Sequence, residues 1–275
     1  MNQHRAPTVA QVFDLLASSY DQTGVEFFAP VGRKLVELLD AAPGDRCLDI
    51  GCGRGAVTLP LAAAVGPSGS VHGVDVSPGM LAEARSLASQ SGLDNVTFEV
   101  GDAGDLGGLD ANFSLIASSL VLFFLTDPAA ALRGWVQRLA PGGRIGLVTF
   151  GDEDEASQAI EDLLTPYAPP GFRDPTLVEK ESPFSSDAGM ERLLAGAGAR
   201  DVRTVMVPTV IEFADAQHWQ HFSMSTGQRA MWMRMPEDDK PKVLARAEEI
   251  LEPTRPAPDQ PCRLEWQMRY TLGVS

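Results

Sequence analysis

The 275-residue sequence lacks the features that mark membrane and exported proteins. Apolar runs such as Leu120 to Leu125 are far shorter than the roughly 20 residues that cross a bilayer. Residues 1–7 contain no apolar stretch followed by a small-residue cleavage site, which an export signal requires. We therefore expect no membrane partner and a cytoplasmic location.

Positive charge and cysteine are both scarce. The chain has 22 Lys and Arg against 37 Asp and Glu, a formal net charge of −15, and no basic cluster. Because nucleic-acid binding requires basic residues that neutralise phosphates, we expect that neither DNA nor RNA is a partner. The three cysteines, Cys47, Cys52 and Cys262, form neither a metal-binding pair nor a disulfide framework, and we interpret them as reduced thiols.

Short apolar runs alternate with stretches of helical periodicity through residues 1–150. This alternation is typical of strand–helix–strand units in a parallel sheet. The predicted strands are 46–50, 70–76, 96–100, 113–118 and 144–150, and the helices between them are 56–65, 78–89 and 128–139. Pro141, Gly142 and Gly143 are expected to separate the last of these helices from the fifth strand. Further along, the pattern predicts a helix over 188–197 and strands over 201–213 and 262–272.

The last two predicted strands are separated by residues 214–261, far more than a hairpin turn needs. We expect helices over 214–224, 227–235 and 236–251. Sulfur-containing and aromatic side chains are concentrated here, namely Trp219, Phe222, Met224, Met231, Trp232, Met233 and Met235. Such a wall suits an apolar ligand of irregular shape. The alternatives are helices that bury an apolar stripe on the sheet, or a contact between two copies in a homodimer.

The segment Cys47 to Ala56 reads CLDIGCGRGA, follows a predicted strand and opens a predicted helix. Its glycines allow backbone to approach a ligand at the carboxyl edge of the sheet. Residues 51–56, GCGRGA, also match GxGxxA, the glycine pattern of dinucleotide-binding proteins. However, Asp49 precedes the turn and would repel a pyrophosphate, whereas it favours ammonium and sulfonium groups. Asp75 and Asp102, at the ends of the next two strands, supply acceptors for a ribose and an adenine amine, so the three acids favour S-adenosylmethionine (SAM).

Four motifs occur in the order and at the spacing of class I SAM-dependent methyltransferases: LDIGCGRG at 48–55, GVDVSPGM at 73–80, GDA at 101–103 and LAPGG at 139–143. The chain resembles the small-molecule, natural-product branch of that family over roughly residues 12–150. The resemblance implies a Rossmann-like α/β fold with a seven-stranded, mostly parallel sheet, N-terminal lid helices and a helical cap inserted before the last strand. Phe113-Ser114 departs from the Phe-Asp common in the family, and we expect little effect on cofactor binding.

The resemblance also implies which residues surround SAM. They are Asp49, Gly51, Cys52 and Gly53 at the methionine part, Asp75 at the ribose hydroxyls, Val76 and Met80 on the adenine, Asp102 and Ala103 at the adenine edge, and backbone at Ala117 or Ser118 for the ammonium group. Cys52 is interpreted as a small filler of the turn rather than a nucleophile.

Methyl transfer needs an in-line approach of the acceptor atom, so positioning and exclusion of water can supply much of the rate, and a base is optional. Tyr20, in a segment that resembles the family's lid helices, is a candidate to face the sulfonium side, or else packs a helix onto the sheet. His218 and His221 share a helix face and are candidate bases. They lack a third protein ligand, so we expect no metal, and the alternative is that they are surface or cap residues. The predicted substrate pocket consists of Phe28, Phe123, Trp219, Phe222, Met224 and Trp232.

The sequence therefore predicts one methyltransferase domain. Residues 1–40 form the lid, 41–150 the SAM-binding core, 151–213 and 258–275 the rest of the sheet, and 214–257 the cap. The expected reaction moves a methyl group from SAM to O, C or N of a small apolar metabolite of natural-product biosynthesis and leaves S-adenosylhomocysteine. The alternatives are a cyclase of the same fold that uses SAM structurally, an NAD-dependent oxidoreductase, and a non-catalytic SAM-binding partner protein.

Overall fold

A computed structural model describes residues 9–169 and 182–275. Within these residues the chain forms a seven-stranded sheet in the order β3-β2-β1-β4-β5-β7-β6. The strands are β1 (Arg46–Ile50), β2 (Ser70–Asp75), β3 (Val96–Val100), β4 (Phe113–Ser119), β5 (Leu139–Glu153), β6 (Arg200–Phe213) and β7 (Cys262–Val274). Strands β1 to β5 are parallel, and β7 runs antiparallel between β5 and β6. The predicted mostly parallel α/β sheet is confirmed.

The helices are α1 (Val9–Leu16), α2 (Phe28–Leu38), α3 (Thr58–Val65), α4 (Pro78–Gln90), α5 (Pro128–Val136), α6 (Glu155–Asp162), α7 (Asp187–Gly196), α8 (Ala216–Met224), α9 (Arg229–Arg234) and α10 (Lys240–Leu251). Helices α2 and α3 bury apolar residues on one face of the sheet together with α8, α9 and α10, while α5 and α7 cover the other face. Central strands such as β1 are therefore covered on both sides, which explains their continuous apolar sequence.

Polar caps fix where the helices begin after the strand ends. The Ser77 hydroxyl accepts a hydrogen bond from the Met80 N–H at 3.1 Å, and Pro78 occupies the first turn of α4. Asp127 caps α5 in the same way, at 2.8 Å from the Ala130 nitrogen. These pairings satisfy N–H groups that have no partner within the helix. They set α4 and α5 directly behind the carboxyl edge of the sheet.

The structure corrects the boundary between α5 and β5. The helix ends at Val136, and strand pairing begins at Leu139, opposite Phe113. The segment from Pro141 to Gly143 therefore lies within β5 rather than before it. A register shift between Phe113 and Leu115 absorbs the extra residues, and Gly142 has a φ of +75°, which suits glycine.

The segment 214–251 packs on the chain's own sheet. Trp219, Met231, Trp232 and Met235 are at most 4% exposed and belong to the same core as α2 and α3, whereas Met233 is 70% exposed. None of the helices in the described residues combines the length and apolarity of a membrane span.

Candidate active site

The glycine turn after β1 brings backbone to the carboxyl edge of the sheet. Gly51 has a φ of +70°, and a Cβ atom there would lie 2.2 Å from a methyl carbon of Val121. Only glycine fits this position, because any side chain would collide with the loop after β4. The N–H groups of Gly51 and Cys52 both donate to the Val74 carbonyl, at 2.7 and 3.0 Å. The turn is thereby tied to the end of β2.

Asp75, at the end of β2, has both carboxylate oxygens engaged by backbone. Oδ2 accepts from the Gly53 N–H at 2.8 Å, and Oδ1 accepts from the Ser77 N–H at 2.9 Å. Burial raises the pKa of Asp75, and the backbone donors at Ser77 and Gly53 oppose that rise. The carboxylate is thus held in one orientation at the mouth of the glycine turn.

Asp49 lies beneath the turn and is only 1% exposed. Its Oδ2 accepts from the Thr58 hydroxyl at 2.5 Å. Burial raises the pKa of Asp49 to about 7, the hydrogen bond from Thr58 opposes that rise, and the nearby charge of Asp75 adds to it. A second carboxylate therefore lies behind the turn, with its ionisation near neutral pH.

A cleft of about 560 Å³ opens along this edge of the sheet. The glycine turn, the ends of β2 and β3 and the loop after β4 form its walls, and α1 with the following segment closes it. Asp14 of α1 accepts from the Ser77 hydroxyl at 2.5 Å and from the Gly79 N–H at 2.9 Å, so α1 is fastened to the start of α4. Arg54 donates to the Tyr20 carbonyl and, at 3.3 Å, to Glu83.

A second cavity of about 90 Å³ adjoins the cleft, and most of the residues that line it are aromatic. The residues that line both spaces are Phe13, Tyr20, Phe28, Leu120 and Phe124. The far side is formed by Phe27, Phe123, Phe150, Phe222, Thr226, Gly227, Gln228 and Trp266. Because the two spaces share a wall at Tyr20, a ligand in one would face a ligand in the other.

Comparisons with known proteins agree with this arrangement. A family model described as a methyltransferase domain matches residues 41–222. Aklanonic acid methyltransferase DauC of Streptomyces sp. (strain C5) is 39% identical over 71% of this chain and 93% of the relative. Nocamycin O-methyltransferase of Saccharothrix syringae is 32% identical over 95% of this chain and 96% of the relative.

The chain belongs to the class I SAM-dependent methyltransferases. Its fold is similar to that of the YcgJ protein from Bacillus subtilis, with a TM-score of 0.60 at 20% identity over 90% of this chain and 98% of that one. The resemblance, the enzyme class and the cofactor predicted from the sequence are confirmed. SAM is the cofactor, and a small molecule is the substrate of this methyltransferase.

The chemistry of the cleft fits SAM. Among the described residues that line it are four aspartates, Asp75, Asp102, Asp105 and Asp127, and no Lys, Arg or His. Such a lining favours a ligand with positive charge, as SAM has at its sulfonium and ammonium groups, and disfavours a pyrophosphate. Val76, which is 37% exposed, and the buried Met80 add the apolar surface that an adenine ring needs.

The structure brings most of the predicted cofactor residues to this methyltransferase cleft. Those that line it are Gly51, Gly53, Asp75, Val76, Met80, Asp102 and Ala103. Three others lie behind its wall. Asp49 faces Thr58, the Cys52 sulfur lies against Gly73, and the Ser118 hydroxyl donates to the Ile50 carbonyl at 2.9 Å. Sequence reasoning assigned Phe123 to the substrate pocket but missed that the surrounding segment 119–127 also lines the cofactor cleft, although its apolar run next to a helix-capping Asp-Pro was a usable signal.

Only some of the residues predicted for the substrate pocket line a cavity. Phe28, Phe123 and Phe222 line the aromatic cavity, whereas Trp219, Met224 and Trp232 do not. The two tryptophans pack against each other with ring centroids 5.5 Å apart, and the Trp232 N–H donates to Ser223 at 2.8 Å. They are core residues, because helices α8 and α9 turn their largest rings toward the sheet.

Neither predicted histidine reaches the cleft or the aromatic cavity. His221 is exposed. His218 Nδ1 accepts from the Ala214 N–H at 3.1 Å, and its Nε2 bonds the Thr23 carbonyl at 2.9 Å, so the ring joins α8 to the segment before α2. The geometry argues against the base role predicted for them. Tyr20 does lie between the two spaces, and burial together with Asp21 and Asp75 raises its pKa strongly, so its phenol stays protonated.

Proposed function

We propose that this methyltransferase methylates an oxygen atom of a planar, apolar natural product, and that the oxygen belongs to a carboxyl or acidic hydroxyl group. The observation that carries the proposal is the aromatic cavity that shares a wall with the SAM cleft. Aromatic walls favour a flat, unsaturated ligand, since such rings pack edge to face and in offset stacks. The two relatives support oxygen as the acceptor atom, since one is named as a methyltransferase of an acid and the other as an O-methyltransferase.

The lack of a base supports an acceptor that ionises by itself. Among the described residues that line the aromatic cavity, only Tyr20 is titratable, and its raised pKa keeps it protonated. A carboxylate or an acidic phenolate needs no proton removal before it attacks. The phenol of Tyr20 can then donate a hydrogen bond near the acceptor, and the surrounding rings exclude water.

We propose the following roles at the cofactor. SAM supplies an electrophilic methyl group on a sulfonium centre. Asp75 holds the ribose hydroxyls, Val76 and Met80 pack on the adenine, and Asp102 with Ala103 borders the adenine edge. Gly51 and Gly53 allow the methionine part to approach backbone. Asp49 acts from behind the turn, through its charge on the ammonium group rather than through contact.

The division into a lid (1–40), a core (41–150), the rest of the sheet (151–213 and 258–275) and a cap (214–257) is proposed on the same grounds. The lid is supported by α1 and Tyr20 at the cleft, and the cap by Phe222 and Gln228 at the aromatic cavity. The cytoplasmic location, the absence of a nucleic-acid partner and the homodimer remain predictions. The burial of Met231, Trp232 and Met235 within one chain leaves little of that segment for a dimer contact.

The test uses methyl-deuterated SAM with two aromatic probes, anthraquinone-2-carboxylic acid and its methyl ester. We expect a labelled methyl ester from the acid and no labelled product from the ester, both read by mass spectrometry. The rate should follow ionisation of the acid and then stay level as pH rises. Label on a ring carbon would contradict the proposed oxygen acceptor. Binding of the acid beside SAM without any labelled product would also contradict methyl transfer to this class of acceptor.

A further inference from the structure

A tryptophan that lines the aromatic cavity has a buried donor that the described residues leave unpaired. Trp266 of β7 is 6% exposed and lines the cavity, where Phe27 and Phe150 hold its ring at centroid distances of 5.2 and 5.6 Å. Its indole N–H is buried and has no acceptor among residues 9–169 and 182–275. A buried N–H without a partner costs free energy, and native proteins rarely keep one without a use.

Gln228 lines the same cavity and has an orientation fixed by a relay of hydrogen bonds. The Trp232 N–H donates to the Ser223 hydroxyl at 2.8 Å, so that hydroxyl in turn donates to Gln228 Oε1, at 2.7 Å. On its other side, Gln228 Nε2 donates to the carboxylate of Glu161. These bonds fix the orientation of the amide, so that Nε2 keeps a second N–H that it can donate to a ligand.

Both donors lie on the side of the cavity away from the cofactor. Trp266 and Gln228 line the aromatic cavity but not the SAM cleft, whereas Tyr20, Phe28 and Phe124 line both. A ligand that spans the cavity would thus meet donors at one end and the methyl group at the other. Since both groups donate, the matching ligand atom is an acceptor, such as a ketone or quinone oxygen.

We propose that Trp266 and Gln228 bind a carbonyl oxygen on the ring system of the acceptor substrate and so determine which edge of that ring faces the methyl group. This inference rests on the proposed function, because it assumes a planar aromatic substrate in this cavity. It adds that the substrate carries a carbonyl group distant from the methylated oxygen.

The test compares anthraquinone-2-carboxylate, which has two ring carbonyls, with anthracene-2-carboxylate, which has none. Binding of each probe is measured by calorimetry with S-adenosylhomocysteine present, and methylation is measured separately with SAM. We expect the wild-type protein to prefer the quinone by about tenfold. Trp266→Phe keeps a ring but removes the N–H, so it should lose most of that preference by weakening quinone binding alone. Gln228→Met should have the same effect.

Trp219→Phe is the matched control, because Trp219 is buried outside the cavity and should leave the preference unchanged. The proposal would be overturned if Trp266→Phe bound both probes more weakly by the same factor, or if both variants kept the preference for the quinone. Unchanged SAM affinity in each variant shows that it has folded. If the variants lose the preference for the quinone but neither probe is methylated by the wild-type protein, the proposed acceptor is wrong and the donor site is supported. If the quinone is methylated but the wild-type protein shows no preference for it, the donor site is wrong and the proposed acceptor is supported.

Discussion

Asp75 supports the cofactor site through two separate backbone contacts, one to the glycine turn and one to the start of α4. Asp75→Asn removes the charge and replaces one acceptor oxygen by a donor, so one of these contacts turns repulsive. We expect the affinity for SAM to fall by about 100-fold, the loss expected for two charge-assisted hydrogen bonds. Calorimetric titration measures this. Asp110→Asn is the control, because Asp110 lies outside the cleft and forms an exposed ion pair with Arg46 at 2.9 Å, so this variant should bind SAM normally. SAM binding by Asp75→Asn at wild-type strength would remove Asp75 from the site.

The ionisation of Asp49 makes the free energy of unfolding depend on pH. Because burial raises its pKa to about 7, the folded chain binds this proton more tightly than the unfolded chain does. The free energy of unfolding contributed by Asp49 therefore falls as pH rises from about 4 to about 7 and is level above that. Asp49→Asn has no charge to bury, and its amide oxygen can still accept from Thr58.

The melting temperature of Asp49→Asn relative to wild type should therefore increase by roughly 4 °C between pH 5 and pH 7 and change little above pH 7, in the absence of SAM. The variant should also bind SAM more weakly at pH 8, because the ammonium group loses a nearby carboxylate. Thermal denaturation across this pH range measures the first effect. A difference that does not vary with pH would show that Asp49 does not titrate there.

Helix α1 depends on its neighbours, because its eight residues are too few to be stable alone. The carboxylate of Asp14 attaches it to α4. Bonds from Ser77 and Gly79 lower the pKa of Asp14, so the attachment persists at neutral pH. We expect Asp14→Ala to release α1, raise amide hydrogen exchange over residues 9–20 and weaken SAM binding by about tenfold. Asp14→Asn, which can still accept from Gly79, should recover part of both. Exchange at the wild-type rate in Asp14→Ala would show that apolar packing alone holds α1.

The elements also show which features the sequence could predict. Strands β1 and β3 have the predicted bounds, because short apolar runs end there at glycine, aspartate or asparagine. The start of β5 was missed, since Pro141 and two glycines look like a break when only local sequence is read. The cofactor cleft follows local motifs and was largely foreseen. The aromatic cavity was foreseen only in part, through Phe28, Phe123 and Phe222. Phe27, Phe150 and Trp266 were missed, because they come from distant segments and look like core residues in sequence.

At the scale of the whole molecule, the proposed cofactor cleft and the proposed substrate cavity lie at different halves of the sheet. The cofactor cleft lies at the ends of β1, β2 and β4, whereas Phe150 of β5 and Trp266 of β7 supply the aromatic cavity. The antiparallel β7 is thus part of the proposed substrate side. Tyr20 and Phe28 line both spaces, so the segment that carries them belongs to both halves.

Arg269 of β7 connects several elements around the proposed substrate cavity. It is 3% exposed, donates to Asp187 at 2.7 Å and to the carbonyls of Phe150 and Phe184 at 2.7 Å each, and so joins β7 to β5 and to the start of α7. Arg269→Met keeps the length of the side chain but leaves those carbonyls without their donor. We expect a loss of about 3 kcal/mol in the free energy of unfolding, measured by chemical denaturation.

Arg269→Met also tests whether substrate binding and SAM binding depend on different halves of the sheet. Because the carbonyl of Phe150 loses its hydrogen-bond donor, the KM for an aromatic acceptor should rise severalfold. The affinity for SAM, whose proposed site lies at the ends of β1 and β2, should stay within twofold. Arg263→Met is the matched control, since Arg263 is also on β7 but forms an exposed ion pair with Glu212 at 2.9 Å, and such pairs contribute little. It should change neither quantity. If Arg269→Met weakened SAM and acceptor binding equally, the two cavities would have to respond as one cooperative unit, and the division of the sheet into a cofactor half and a substrate half would be wrong.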